Sequence, residues 1–262
     1  MGGIAESASY GHIGCKRDYS LDQGAVREHN QRHRKPPRFP KPKPKRLLKG
    51  RSVTIGAGIL CEDGIIVCAD TQEIISGYMK GESGKILVIE TQTWLAAIVG
   101  AGFTDYVDMC KDKIVRALVG NTATDKLSSP SPIADLLESS LLEIFEKHFA
   151  PLSIYPEQER PHAHMLCPVQ ATNGTGVVTT WIGTAFVRHF DYAFVGTGSM
   201  VASNIARKVL TPSRRNRSMR EVAGLAIYIL DQVKSSVDGC GGDTTVILLG
   251  RDGNRTYHCC PS

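Results

Sequence analysis

Residues 54–70 read TIGAGILCEDGIIVCAD, and this stretch decides the fold. Residues 54–60 form an apolar run of the kind that makes a strand. Glu62-Asp63-Gly64 is a turn, because Asp-Gly tolerates the positive φ of a tight hairpin. Residues 65–69 are almost continuously apolar, which predicts a strand buried on both faces. Together they read as a β-hairpin. Two further strands are expected over 85–89 and 94–99, joined by a short polar turn at 90–93.

Downstream the period changes. Tyr106, Val107, Cys110, Ile114, Val115 and Leu118 recur at three-to-four spacing and predict an amphipathic helix. Pro132 suits the first turn of a second helix, whose apolar residues run from Ile133 to Phe145. Residues 150–176, rich in Pro, His and Gly, give no legible element. Strands are expected over 177–182, 184–187 and 192–195, then helices over 200–210 and 219–234. The last helix has Ser218 as N-cap and Glu221 three residues later, a capping box. A strand over 243–249 and a short one after Asp252-Gly253 close the chain. Strands and helices thus come in blocks. That order predicts an α+β sandwich of two antiparallel sheets flanked by helix pairs, not a parallel doubly wound sheet.

The segment before this body is different. Residues 1–53 carry 13 Lys/Arg against 4 Asp/Glu, whereas the rest carries 18 against 22. Residues 30–51 hold five of the thirteen prolines and few apolar side chains, so 1–53 reads as a basic, disordered leader and 54–262 as one folded domain. The leader has three readings: a solvated tail, a phosphate-contacting arm, or a segment removed or never made. In the last, Val53 stands for an initiator codon and Thr54 begins the mature chain.

Several classes fall away on composition. The longest apolar runs are about six residues, against the roughly 20 of a membrane helix, and no secretory signal is expected. The eight cysteines include no C-x-x-C pair, which predicts a reducing, cytoplasmic compartment. His162, His164 and Cys167 have no further ligand cluster to complete a site, so no metal is expected. Gly196-Thr197-Gly198 lacks the rest of a phosphate-loop pattern, so no cofactor is expected either. Nucleic acid and membrane are not the expected partners.

Four segments, in order, resemble the proteasome-type family of N-terminal-nucleophile hydrolases (proteasome alpha/beta subunits and bacterial proteasome-like proteins). They are Thr54-Ile55 with the hairpin ending at Asp70; Gly77-Tyr78-Met79-Lys80-Gly81 with the run from Lys85 to Ile89; Ile98-Val99-Gly100-Ala101-Gly102; and the run from Tyr192 to Ser199, with Gly241-Gly242-Asp243-Thr244-Thr245. Met79-Lys80-Gly81 ahead of Lys85 is especially similar to the bacterial two-component proteasome-related protease. The resemblance implies a four-layer αββα sandwich and amide hydrolysis by an N-terminal threonine, with ring or helical homo-oligomers acting on peptide or protein substrates.

It also implies a site. Thr54 is the nucleophile and its own α-amine the base, which requires that residues 1–53 be absent. Lys85 favours the alkoxide, Asp70 holds the lysine, and the Gly100 N–H stabilises the oxyanion. Thr197, with Ser199 near it, and Asp238 support the amine. Two departures stand out: Ile55 follows the threonine, and Cys240 takes the place of a serine in Asp238-Gly239-Cys240-Gly241-Gly242, one residue shorter than the family pattern. The alternative is a non-catalytic, proteasome-like structural or partner-binding subunit that keeps its leader.

Overall fold

The computed structural model describes residues 54–75, 79–91, 93–120, 130–155, 160–171, 173–183, 185–210, 217–253 and 255–260. The leader expected over 1–53 and the motif residues Gly77 and Tyr78 lie outside the described residues. In chain order the elements are β1 (Ile55–Cys61), β2 (Gly64–Asp70), β3 (Gln72–Ile75), β4 (Met79–Glu82), β5 (Ile86–Glu90) and β6 (Trp94–Gly102). Then come α1 (Thr104–Gly120), α2 (Pro130–Ile144), β7 (Ala163–Ala171), β8 (Gly176–Ile182), β9 (Ala185–His189) and β10 (Tyr192–Gly196). The chain closes with α3 (Ser199–Val209), α4 (Met219–Ser236), β11 (Thr244–Gly250) and β12 (Arg255–Cys260).

Two antiparallel five-stranded sheets stack face to face. One has the order β10-β1-β2-β11-β12 and the other β5-β6-β7-β8-β9; β3 and β4 form a separate ribbon. Three apolar clusters fill the three spaces between four layers. Val107, Cys110, Ile114 and Leu118 of α1 pack with Leu137 and Leu141 of α2 onto Trp94, Ala96 and Ile98 of β6. Ala202 and Ala206 of α3 and Ala226, Ile229 and Val233 of α4 cover Ile55, Ile66 and Cys68. Between the sheets lie Ile65, Val67 and Ala69 of β2 and Leu95, Ala97, Val99 and Ala101 of β6. The unbroken apolar runs of β2 and β6 follow from this: alternate side chains point to opposite faces, and both faces are interior. The expected αββα sandwich is therefore the observed one.

The sheets approach closely where β1 carries glycine. A Cβ on Gly56 would stand 2.6 Å from Val99 Cγ1. The α4 cap is as predicted: Ser218 accepts from the Glu221 N–H while the Glu221 side chain reaches back to the Ser218 N–H.

Two strand features went unread in the sequence. β7, a nine-residue strand, lies in the centre of its sheet within the stretch that gave no legible element. Its Pro168 has no N–H, and proline argues against a central strand. The ladder with β6 accommodates it: Ala96 pairs with Val169 and Val99 with Leu166, but the two positions between are unpaired. The β3–β4 ribbon was also missed, because its strands have only four residues each.

His164 of β7 gives the fold an acid sensitivity. Burial holds its imidazole below the ordinary 6.5, and the neighbouring His162 adds to the effect; the two ring centroids are 5.3 Å apart. The unfolded chain therefore binds this proton more readily than the folded one. The corresponding stability is present above about pH 6.5 and is lost as pH falls toward the depressed value. The thermal midpoint should drop between about pH 7.5 and about pH 5.5, and His164→Gln should shrink that drop. An equal drop in the variant would contradict the assignment.

Candidate active site

Thr54, Asp70, Lys85 and Gly100 reach the same end of the sandwich because the hairpins place them there. Thr54 immediately precedes β1, and Asp70 ends its antiparallel partner β2. Lys85 immediately precedes β5, and Gly100 lies near the end of β6, one residue beyond the Ile86–Val99 pair.

Asp70 is the hub. Its Oδ1 accepts from Thr54 Oγ1 at 2.6 Å, from the Ile55 N–H at 3.1 Å and from Lys85 Nζ at 2.7 Å. Its Oδ2 accepts from the Gly241 N–H at 3.1 Å. Lys85 Nζ also donates to Thr54 Oγ1 and to the Gln72 carbonyl, so all three ammonium protons have acceptors. The cluster is almost dry: Thr54, Asp70 and Lys85 are 0%, 1% and 7% exposed. An ion pair in such a place is tolerated only when its remaining hydrogen-bonding capacity is satisfied, as it is here. Burial holds the lysine's proton affinity below its ordinary value, and Asp70 opposes that fall. Thr54 Oγ1 thus stands between an ammonium and a carboxylate, with the ammonium poised to stabilise negative charge on the oxygen.

Gln72, to which the sequence analysis assigns no role, completes the cluster, and Gly198 packs behind it. Gln72 supplies the carbonyl for Lys85. It also ties the 238–242 turn to the site through its N–H to Gly241 O (3.0 Å) and its Nε2 to Gly239 O (2.8 Å). Gly198 presses against Ile55 and Cys240; a Cβ there would lie 3.4 Å from Cys240 Sγ and 2.3 Å from Val233 Cγ1. Cys240 itself is buried, and its thiol is pushed up to about 12 by burial and then by Asp70, so it is a protonated packing group.

The remaining predicted residues lie as follows. Thr197 is exposed in the turn between β10 and α3, and Ser199 opens α3. Asp238 is exposed on the turn after α4. Among the described residues no hydrogen bond joins Thr197 or Asp238 to the Thr54–Asp70–Lys85 cluster. Gly100 packs against α1, where a Cβ would stand 2.2 Å from Val107 Cγ1. Beside Lys85 and Gly100 opens a cavity of about 180 Å³, lined also by Glu73, Thr104, Asp108 and Lys111. Gly196, at φ +99°, lets β10 close on Thr54, since a Cβ there would sit 2.1 Å from the Thr54 carbonyl oxygen. Among the described residues no group of His, Cys, Asp or Glu could hold a metal ion, and no helix is long and apolar enough to cross a membrane.

No family model matches the sequence, and no curated protein matches it. Solved structures do match the fold. Anbu (ancestral beta-subunit) from Yersinia bercovieri superposes with a TM-score of 0.64 at 12% identity, over 80% of this chain and 88% of that one. A Gly-1 mutant of Anbu from Hyphomicrobium sp. strain MC1 gives 0.64 at 13% identity, over 80% and 88%. Anbu from Pseudomonas aeruginosa, solved as a helical assembly, gives 0.59 at 10% identity, over 80% and 87%.

These findings correct the resemblance to proteasome alpha/beta subunits. The matching structures are of Anbu, a distinct proteasome-related family, and at this identity the likeness is one of fold. The physical reason lies in what the motifs do. Several of the glycines that carried the resemblance, Gly100, Gly196 and Gly198 among them, stand where a Cβ would collide with neighbouring atoms. They mark the sandwich and not a particular family.

Proposed function

We propose that the protein is a threonine-type amidohydrolase, a peptidase of Anbu-like fold, whose nucleophile is Thr54 once residue 54 carries a free amine. The observation that supports this best is the buried contact of Thr54 Oγ1 with both Asp70 and Lys85. A threonine that served only as a strand residue would not need a satisfied ion pair on its hydroxyl.

In this reading the Thr54 α-amine takes the hydroxyl proton as Oγ1 attacks the substrate carbonyl carbon. An α-amine with an ordinary pKa of about 7.7–8.0 suits that work near neutral pH. Lys85 stabilises the developing alkoxide, and the Gly100 N–H faces the oxyanion. The protonated amine then gives its proton to the departing nitrogen as the C–N bond breaks, leaving an ester on Thr54. Water, deprotonated by the same amine, cleaves the ester. The cavity beside Lys85 and Gly100 would take the substrate side chain. Thr197 and Asp238 act as supports for the amine once the chain begins at residue 54.

The leader, 1–53, is absent from the working form, and 54–262 is the working domain. Thr54 is wholly buried in the 262-residue chain, so a working form requires a change at that residue. The same burial favours a second reading, in which a chain that keeps its leader is a non-catalytic subunit. We assign the protein to the cytoplasm, in keeping with free cysteines at every described position, and to a homo-oligomer of ring or helical type, as the Pseudomonas Anbu assembly suggests.

Trapping tests the assignment. A chain beginning at Thr54, mixed with an activated peptide ester and quenched in acid, should carry one acyl group, located by mass spectrometry on residue 54. Acyl groups found only on lysines or cysteines would refute it.

A further inference from the structure

The end of the sandwich remote from Thr54 holds a larger cavity, of about 450 Å³. Its walls come from both sheets. Leu60, Cys61, Glu62 and Gly64 belong to the β1–β2 hairpin, Gln170 and Gly176 to the β7–β8 hairpin, and Phe190 and Arg251 to the turns before β10 and after β11. The volume is that of a small-molecule site.

Its polar groups are built in. Gln170 is 2% exposed, and its Nε2 donates to the Ala171 carbonyl at 3.0 Å. A Cβ on Gly176 would lie 2.5 Å from Gln170 Oε1, so the glycine leaves room for that oxygen beside the cavity. Glu62 and Arg251 bring opposite charges to the same cavity, yet among the described residues neither makes an ion pair. Their backbones are fixed relative to each other. The Arg251 N–H donates to the Asp63 carbonyl at 3.0 Å, the Glu62 N–H to the Arg217 carbonyl at 3.1 Å, and the Met219 N–H to Asp63 Oδ1 at 2.7 Å. The ring of Phe190 is 65% exposed, with the Arg188 guanidinium 4.6 Å from its centroid. A cation and an anion, exposed on fixed backbones and not neutralising one another, a buried acceptor and an aromatic wall suit a ligand bearing both charges and an apolar body.

We propose that this cavity binds a small zwitterion, an α-amino acid with a large apolar side chain. Arg251 takes the carboxylate, Glu62 and Gln170 Oε1 take the ammonium, and Phe190 meets the side chain. The inference does not rest on the hydrolysis proposed above, and its test reads binding alone.

Calorimetric titration of the full chain with L-phenylalanine, L-leucine and L-methionine tests it. Saturable one-to-one binding of at least one is expected. For the phenylalanine series, 3-phenylpropanoate, which lacks the ammonium, and phenethylamine, which lacks the carboxylate, should each bind at least about tenfold more weakly. Arg251→Ala and Glu62→Gln should weaken amino-acid binding by a similar factor while leaving the thermal midpoint of the unliganded protein unchanged. The proposal is overturned if none of the three amino acids binds up to about 10 mM. It is equally overturned if the single-charge analogues match the amino acid, or if both variants bind as the parent does.

Discussion

Thr54→Ala, made in a chain that begins at residue 54, is expected to lose at least about 10⁴-fold in peptide hydrolysis. The hydroxyl is the only group of the cluster that can become a covalent ester, so nothing remaining can replace it. Thr54→Ser keeps the oxygen between Lys85 and Asp70 and should retain measurable turnover. The alanine variant also loses one acceptor for Lys85 and one donor to Asp70. Those losses in a dry site should cost about 1–3 kcal/mol of stability, so chemical denaturation must accompany the assay. A folded Thr54→Ala protein that hydrolyses peptides as fast as its parent would end the proposal of a threonine nucleophile.

Asp70→Ala should have the largest effect on stability. Asp70 accepts four hydrogen bonds, from Thr54, Ile55, Lys85 and Gly241. Its removal leaves the Lys85 ammonium buried without a counter-ion, a change that typically costs about 3–5 kcal/mol. Hydrolysis should fall with it, because the Gln72 carbonyl alone then holds the lysine against Thr54. The pH dependence has a definite sign. Burial already holds the Lys85 proton affinity down, and Asp70 is what opposes the fall. Without Asp70 the folded-state pKa of the lysine drops further below its unfolded value. Stability should therefore rise with pH, from the depressed value toward the ordinary lysine pKa of about 10.4. Adding Lys85→Met should restore part of the stability lost in Asp70→Ala, since the orphaned charge is then gone. If the double variant is less stable than Asp70→Ala by the full cost of Lys85→Met alone, the two side chains are not coupled as described.

Much of this was legible in the chain. The hairpin from Thr54 to Asp70, the unbroken apolar run of β6, the helical spacing of α1 and the Ser218–Glu221 box each state their structure locally. Their block order states the layering. What was not legible depends on tertiary context. β7 hides behind Pro168, which a strand tolerates only because two ladder positions opposite β6 go unpaired. The candidate site divides in the same way. Thr54, Asp70 and Lys85 were expected from a resemblance of motifs, and the strand ends bring these three side chains together. Gln72 could not, because it serves Lys85 through a backbone carbonyl that any residue possesses. Nor could the thiol of Cys240, inert in its buried surroundings, be told from a reactive one by spacing. The glycines misled in a further way. They are demanded by close approaches in the sandwich, so they identify the architecture more firmly than they identify kinship.

The central claim concerns the nitrogen of residue 54, and one comparison reaches it directly. Two chains are prepared, one whose first residue is Thr54 and one that carries Val53 ahead of it, and intact mass verifies each terminus. Both contain the same Thr54, Asp70, Lys85 and Gly100, and they differ in whether that nitrogen is an amine or an amide. The account predicts peptide hydrolysis by the first and none by the second. Equal rates from the two would contradict it.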